Sequence, residues 1–199
     1  MDLACTGENN ITLECIKQRL CETTMRGSTA PLDVFRRAAV LIPLLCEKEK
    51  LSVLYIRRTE TVQDHKGQVS FPGGAVEPED NDIIATALRE TWEEIGIPPE
   101  EIHILGCMRE YHTVSKYSIV PVVGVVPWPY QLKLSREEVG RAFTIPLSWL
   151  AVPTHHVEKP YSRPDGRVDN VIFFDPFYGD LLWGITARIT LNFLQILGL

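Results

Sequence analysis

Apolar positions along the chain alternate between a period near two and a period near 3.6, and this switching sets the predicted elements. In "ITLECIKQRL" (11–20), Ile11, Cys15, Ile16 and Leu20 recur at helical spacing and predict a short helix. "MRGSTAPLD" (25–33) reads as a loop, punctuated by Gly, Ser and Pro. "AAVLIPLLC" (38–46) and "LSVLYIRR" (51–58) are apolar runs of strand length, and the charged turn "EKEK" between them predicts a hairpin. "GQVSFPGG" (67–74) is a strand entering a tight turn. From Asp82 to Ile95 the pattern is helical, with Ile84, Leu88, Trp92 and Ile95 assigned to one anchoring face and Gly96 as the C-cap before Pro98 and Pro99. "EIHILGCMREYHT" (101–113) and "YSIVPVVGVV" (117–126) are strand-like. "SREEVGRAFTIPLSWL" (135–150) opens with Ser135 three residues before Glu138, a capping-box spacing that predicts a short helix. "NVIFFD" (170–175) is a strand, and 181–199 a C-terminal helix. Runs of strands separated by isolated helices, without strict βαβ alternation, predict an α+β layered domain.

Composition narrows the class. The 199 residues suit one large domain, or one domain with an extra element at an end; 45% are apolar and 23% charged, enough to build a core. The formal net charge of -6 disfavours a basic nucleic-acid-binding surface. The five cysteines (Cys5, Cys15, Cys21, Cys46, Cys107) are scattered, without a CxxC pair, and read as free thiols in a reducing compartment. The start lacks the basic and apolar regions of a signal peptide, and no apolar run approaches the ~20 residues of a membrane span. The expectation is a soluble, cytoplasmic protein without nucleic-acid or membrane partners; oligomeric state is not legible.

Candidate chemistry concentrates on the central helix. Glu90, Glu93 and Glu94 follow Arg89 and are assigned to the side away from the apolar stripe. Like charges four apart on a helix repel. Such clusters are often plain solvated faces. They are also compact oxygen-donor sets of the kind that hold hard divalent cations, which keep coordination positions for substrate phosphates. Arg89 can fix a carboxylate with its fork. Gly73 and Gly74 allow close backbone approach, and a carbonyl there is a further oxygen donor.

The run R-E-T-W-E-E-I-G-I (89–97), preceded by Gly73-Gly74, resembles the Nudix hydrolase signature. In that family a Gly, an acidic residue and R-E-x-x-E-E-x-G form a loop–helix–loop that binds Mg²⁺ or Mn²⁺ on the diphosphate of a nucleoside-diphosphate substrate. The resemblance implies a Nudix-type α/β/α sandwich with a mixed sheet over 31–199, residues 1–30 forming an N-terminal extension. The Gly-to-Arg spacing here is one residue longer than usual. Asn81 and Ala75 fall where the family's acidic residue and Gly stand, and "EPEDND" offers Asp80 and Asp82 instead. The lengthened loop is similar to that of the coenzyme A diphosphatases. So are Arg57, "HKGQVSFPGG" (65–74), "TALRE" (86–90), "EVGRAFTIPLSWL" (138–150) and "LLWGITARI" (181–189), in the same order. Tyr55 and Gln63 depart from that branch's upstream pattern. Gln63 stands where the branch usually has a second Arg, and Arg58 or Lys66 can serve a substrate phosphate in its place.

The resemblance implies hydrolysis of the diphosphate of coenzyme A or its acyl derivatives to 3′,5′-ADP and (acyl) 4′-phosphopantetheine. ADP-ribose, dinucleotides and nucleoside triphosphates are the alternative substrates, and a nucleotide-sensing module without turnover the alternative class. Catalytic candidates are Arg89, Glu90, Glu93 and Glu94. Metal ligands are Glu90, Glu93, Glu94 and Gly74. Substrate-binding candidates are Arg57, Arg58, His65, Lys66, Phe71, Gly73 and Gly74. Glu110, Glu137, Glu138, Asp165 and Asp169 are candidate general bases by type; for Glu138 helix capping is the preferred role. His155-His156 read as structural, and Trp183 and Phe193 as core.

Overall fold

A computed structural model describes residues 11–24, 35–60, 66–163 and 166–199. The predicted loop at 25–33, His65, Gln63, Asp165 and Cys5 therefore lie outside the described residues.

Two long strands make the spine. β1 (Arg36–Glu47) and β2 (Lys50–Arg58) form the predicted hairpin, and the turn residues Lys48 and Glu49 both take positive φ. β1 also pairs in parallel with β7 (Tyr117–Val125). β2 is flanked by β3 (Val69–Ser70) and β8 (Val139–Pro146). β4 (Gly73–Ala75) lies on β1, and β5 (His103–Cys107) and β6 (Tyr111–His112) lie on β7, giving a mixed sheet. β9 (His156–Ser162) and β10 (Val168–Phe174) form a separate antiparallel hairpin.

Both faces of the sheet are covered, which is why β1 and β2 read as nearly continuous apolar runs. Ile42, Leu44, Val53 and Tyr55 face one core, shared with α1 (Leu13–Thr24), α3 (Leu147–Leu150) and α4 (Gly184–Leu197). Leu41, Leu45, Leu54 and Ile56 face the other, closed by α2 (Ile83–Ile95). This is the expected α/β/α sandwich. Ile16 and Leu20 of α1 are fully buried, so this helix of the N-terminal segment belongs to the main core.

Four expectations change. The helix predicted over 135–150 is a single turn at Ser135, whose carbonyl accepts the N–H groups of Glu138 and Val139, followed by β8 and the short α3. Pairing with β2 along the whole of β8 outweighs the local capping signal. On α2, Ile95 is buried and Ile84 and Leu88 pack against the core as predicted, but Trp92 is 57% exposed, and the buried face also carries Ala87, Thr91 and Glu94 at i, i+4, i+7. Small residues there let the helix approach the glycine turn and carry Glu94 inward. Strand β9 has no counterpart among the predicted elements; most of it is exposed, so its pattern lacks the alternation of a half-buried strand. Cys15, Cys21 and Cys107 lie outside any disulfide, whereas Cys46 is disulfide-bonded; an odd cysteine count does not exclude one pair.

Candidate active site

The lengthened loop organises the helix that follows it. Asp82 is the N-cap of α2, its Oδ1 accepting the Ala85 N–H at 2.8 Å, and Gly96 closes the helix in the left-handed region at φ 75°. Asp80 turns inward. Its carboxylate accepts from Arg89 Nε (2.9 Å) and Nη2 (3.0 Å), from the Thr86 hydroxyl (2.8 Å) and from the Glu77 N–H (2.9 Å). These bonds, led by that of Arg89, hold the Asp80 carboxyl far below the usual range. The two aspartates of "EPEDND" thus have separate structural tasks.

Arg89 is the hub. Besides Asp80 it donates to the Ala75 carbonyl (3.1 Å), to Glu90 Oε1 (3.0 Å) and to Glu93 Oε2 (3.1 Å). Its fork ties the glycine turn, the loop and two of the three helix glutamates into one unit.

The paired glycines do different things. Gly73 has φ 154° and lies so close to β1 that a Cβ would sit 2.3 Å from the Ala39 carbonyl oxygen. A Cβ on Gly74 would sit 2.3 Å from Glu90 Oε1. Glu90 is therefore seated directly on the Gly74 backbone. Glu94, with a side chain 2% exposed, accepts the Gly73 N–H on Oε2 at 3.0 Å and lies 3.5 Å from Arg58 Nη1 through Oε1.

Burial pushes Glu94 up to about 8; the Gly73 N–H and Arg58 oppose the shift, while Glu90 and Glu138 add to it. Glu90 is also raised, first by burial, and Arg89 works against this. Glu90 and Glu94 thus share a desolvated region in which ionising both is costly, and the exposed Glu138 adds a further negative charge nearby. Among the described residues no three acidic, His or Cys side chains close into a ready cage. The donor set fits a hard divalent cation that keeps several waters and substrate oxygens: one buried and one partly buried carboxylate at a glycine turn, in need of positive charge.

The sequence candidates separate accordingly. Arg58, Gly73, Gly74, Arg89, Glu90, Glu93 and Glu94 come together, although Glu93 is half-exposed and held outward by Arg89. Phe71 does not join them. It is 3% exposed and stacks on Tyr55 (5.0 Å between centroids), because the strand turns it into the core under α4. Lys66 is exposed. Arg57 points to Asp180 and Glu60 instead. Glu110 accepts from the Ser118 hydroxyl at 2.7 Å, and Asp169 pairs with Arg163. His155 lies against Trp149 and His156 against Phe174, in keeping with a structural role for both. Glu138 matters more than its capping-box spacing suggests. Because no helix starts at Ser135, Glu138 has no capping role there, and it acts on Glu90 and Glu94 electrostatically. The family-like "EEVGRAF" segment is its only signal in the sequence.

A strand, a glycine turn, a clamped loop and an acidic helix in this order define a Nudix fold and site. The NUDIX domain family model matches residues 35–165. The chain is 39% identical over 158 residues to NudL of Photorhabdus laumondii subsp. laumondii, itself an uncharacterized Nudix hydrolase, covering 79% of this chain and 82% of that one. It is 36% identical over 161 residues to NudL of Yersinia pestis, covering 80% and 79%. The crystal structure of a MutT/nudix family protein from Enterococcus faecalis matches in fold with a TM-score of 0.51 at 18% identity, over 91% of this chain and 74% of that chain. The protein belongs to the Nudix hydrolase family. Nudix hydrolases act on small nucleoside-diphosphate-linked substrates with divalent cations. Among the described residues no helix is long and apolar enough to cross a membrane.

Proposed function

We propose that the protein hydrolyses the diphosphate bond of coenzyme A or its acyl derivatives, with Mg²⁺ or Mn²⁺, in the cytoplasm. Products are 3′,5′-ADP and (acyl) 4′-phosphopantetheine. The observation that carries the diphosphate chemistry is the placement of Glu90 and Glu94 on the Gly73-Gly74 turn, with Arg89 fixed by Asp80. The substrate choice rests on the resemblance of 38–190 to the coenzyme A branch and on its lengthened loop, which here has an ordered role.

Glu90 and Glu94 hold the cation, and the Gly74 carbonyl supplies a further oxygen. When bound, the cation neutralises charge on the non-bridging phosphate oxygens and acidifies water. Arg89 holds Glu90 and Glu93 in place and does not itself touch the reacting atoms. Arg58 faces Glu94 from β2, and its Nε is buried without a hydrogen-bond partner among the described residues, which leaves it a donor for a phosphate oxygen. Glu138 reaches the site from outside the helix and is the proton acceptor for the attacking water.

The test is product identification after incubation with Mg²⁺ or Mn²⁺ and coenzyme A, ADP-ribose, dinucleotides or dNTPs. Coenzyme A should yield 3′,5′-ADP. Cleavage of ADP-ribose with coenzyme A untouched overturns the substrate assignment. No turnover of any diphosphate overturns the enzymatic reading in favour of a sensor.

A further inference from the structure

Strand register places Arg57 of β2 directly opposite Arg141 of β8. Like charges at such a position repel. Both guanidiniums meet one carboxylate. Arg57 Nη1 lies 3.6 Å from Asp180 Oδ1, and Arg141 Nη2 contacts Asp180 Oδ2. The acid is at the closed end of this cluster and the forks at its open end: the Asp180 side chain is 2% exposed, those of Arg57 and Arg141 44% and 47%.

Asp180 is delivered by a tight turn. Phe177 and Asp180 exchange backbone hydrogen bonds of 2.9 and 3.1 Å, with Tyr178 and Gly179 both at positive φ between them. The Phe143 ring supports Arg141 from the side, 5.0 Å from the guanidinium carbon. One buried carboxylate orients two guanidiniums and leaves net positive charge facing solvent. Glu60, 3.8 Å from Arg57 and 73% exposed, is too hydrated to cancel it. A tie between the turn and the sheet needs only one arginine. Two in register, each half-open, match the planar bidentate demand of a phosphate.

The fork and the acidic site meet at consecutive residues of β2, on opposite faces of the strand: Arg57 lies on the side of Tyr55, Arg58 on the side of Ile56. The next residue, Arg58, reaches Glu94, and the β2–β8 ladder shifts register between Arg57 and Arg58. A register shift of this kind re-aims side chains at the edge of a site.

We propose that Arg57 and Arg141 form a subsite for a phosphate monoester that the substrate carries in addition to its diphosphate. This rests on the diphosphatase reading above and narrows the substrate class to nucleotides with an extra phosphate on the ribose. Asp180 is a positioning residue that orients the fork from beneath.

Coenzyme A carries such a phosphate and dephospho-coenzyme A does not, so the pair isolates the subsite. Arg141→Gln should lower the ratio of kcat/KM for coenzyme A over dephospho-coenzyme A about tenfold, with Arg141→Lys in between. An unchanged ratio overturns the proposal. Binding to the wild-type protein separates it from the reaction: 3′,5′-ADP should bind about tenfold more tightly than 5′-AMP by calorimetry, and Arg141→Gln should erase the difference. If coenzyme A is not cleaved but that preference holds, the subsite stands and the diphosphatase reading falls. Equal binding of the two nucleotides overturns the subsite whether or not coenzyme A is cleaved.

Discussion

Glu94 accepts the backbone N–H of Gly73 at 3.0 Å, across 21 residues of sequence. That bond joins the last turn of the acidic helix to the glycine turn on β1 and turns one carboxylate inward, with its side chain 2% exposed. Burying a carboxylate is costly unless it is paired and hydrogen-bonded. One N–H and a guanidinium 3.5 Å away offset part of the cost; a proton, or under the proposed reading a bound cation, would relieve the rest.

Glu94→Gln should therefore remove activity while keeping the fold. The amide preserves shape and can still accept the Gly73 N–H, but it is a poor ligand for a hard cation. The turnover rate should fall at least about a hundredfold, and the shift in melting temperature produced by Mg²⁺ should disappear. Near-normal turnover with an intact Mg²⁺ shift would remove Glu94 from the metal site.

The same carboxylate makes the metal-free protein sensitive to pH. Its folded-state pKa is raised from 4.5 to about 8. Between those values the unfolded chain has Glu94 ionised and the folded chain keeps its proton. The folded state binds more protons, so stability falls as pH rises through this window. In chelator, melting temperature should decline from pH 5 to pH 8, and Glu94→Gln should flatten the decline. Mg²⁺ should stabilise more at pH 8 than at pH 5, since the ligands must be ionised to bind it. A wild-type profile in chelator that rises across this window contradicts the assignment.

Much of this site was legible because its determinants are local. The R-E-x-x-E-E-x-G spacing and the preceding Gly73-Gly74 are fixed by one helix and one turn, so the sequence carries them directly. The long strands were legible for a related reason: a sheet covered on both faces demands continuous apolar runs. What was not legible depends on partners distant in the chain. Trp92 has the hydrophobicity of an anchor, yet the sheet-facing position goes to Glu94 because Gly73 lies beneath it. Phe71 adjoins the turn but is drawn under Tyr55. Ser135 and Glu138 have capping-box spacing, but β2 offers a whole strand of pairing. The Arg57–Asp180–Arg141 cluster joins three segments and leaves no short motif.

Asp80→Asn should separate the loop's structural role from the cation's chemistry. The substitution breaks a pair in which Asp80 is 4% exposed and Arg89 20%, leaving the guanidinium beside neutral oxygen. Removing one partner of such a pair costs about 2–4 kcal/mol. Because the Asp80 carboxyl is held far below its ordinary value, its contribution is fully present above that ordinary value and is lost progressively as pH falls from there towards the depressed folded-state value. Denaturant titration at pH 7 should show the loss, and the gap between wild type and variant should narrow in acid. A variant as stable as wild type at pH 7 would reduce the Asp80–Arg89 contact to a surface pairing.

Glu138→Gln distinguishes proton transfer from metal binding. Glu138 acts on Glu90 and Glu94 from the turn before β8, outside the helix that carries the other carboxylates. A proton acceptor removed from an otherwise intact site costs about 10²–10⁴ in rate. The variant should show that loss in kcat and keep the Mg²⁺-induced rise in melting temperature. Its remaining activity should increase as hydroxide replaces the missing base at high pH. Loss of the Mg²⁺ shift would instead make Glu138 a ligand, and unchanged kcat would return it to a structural role in the turn.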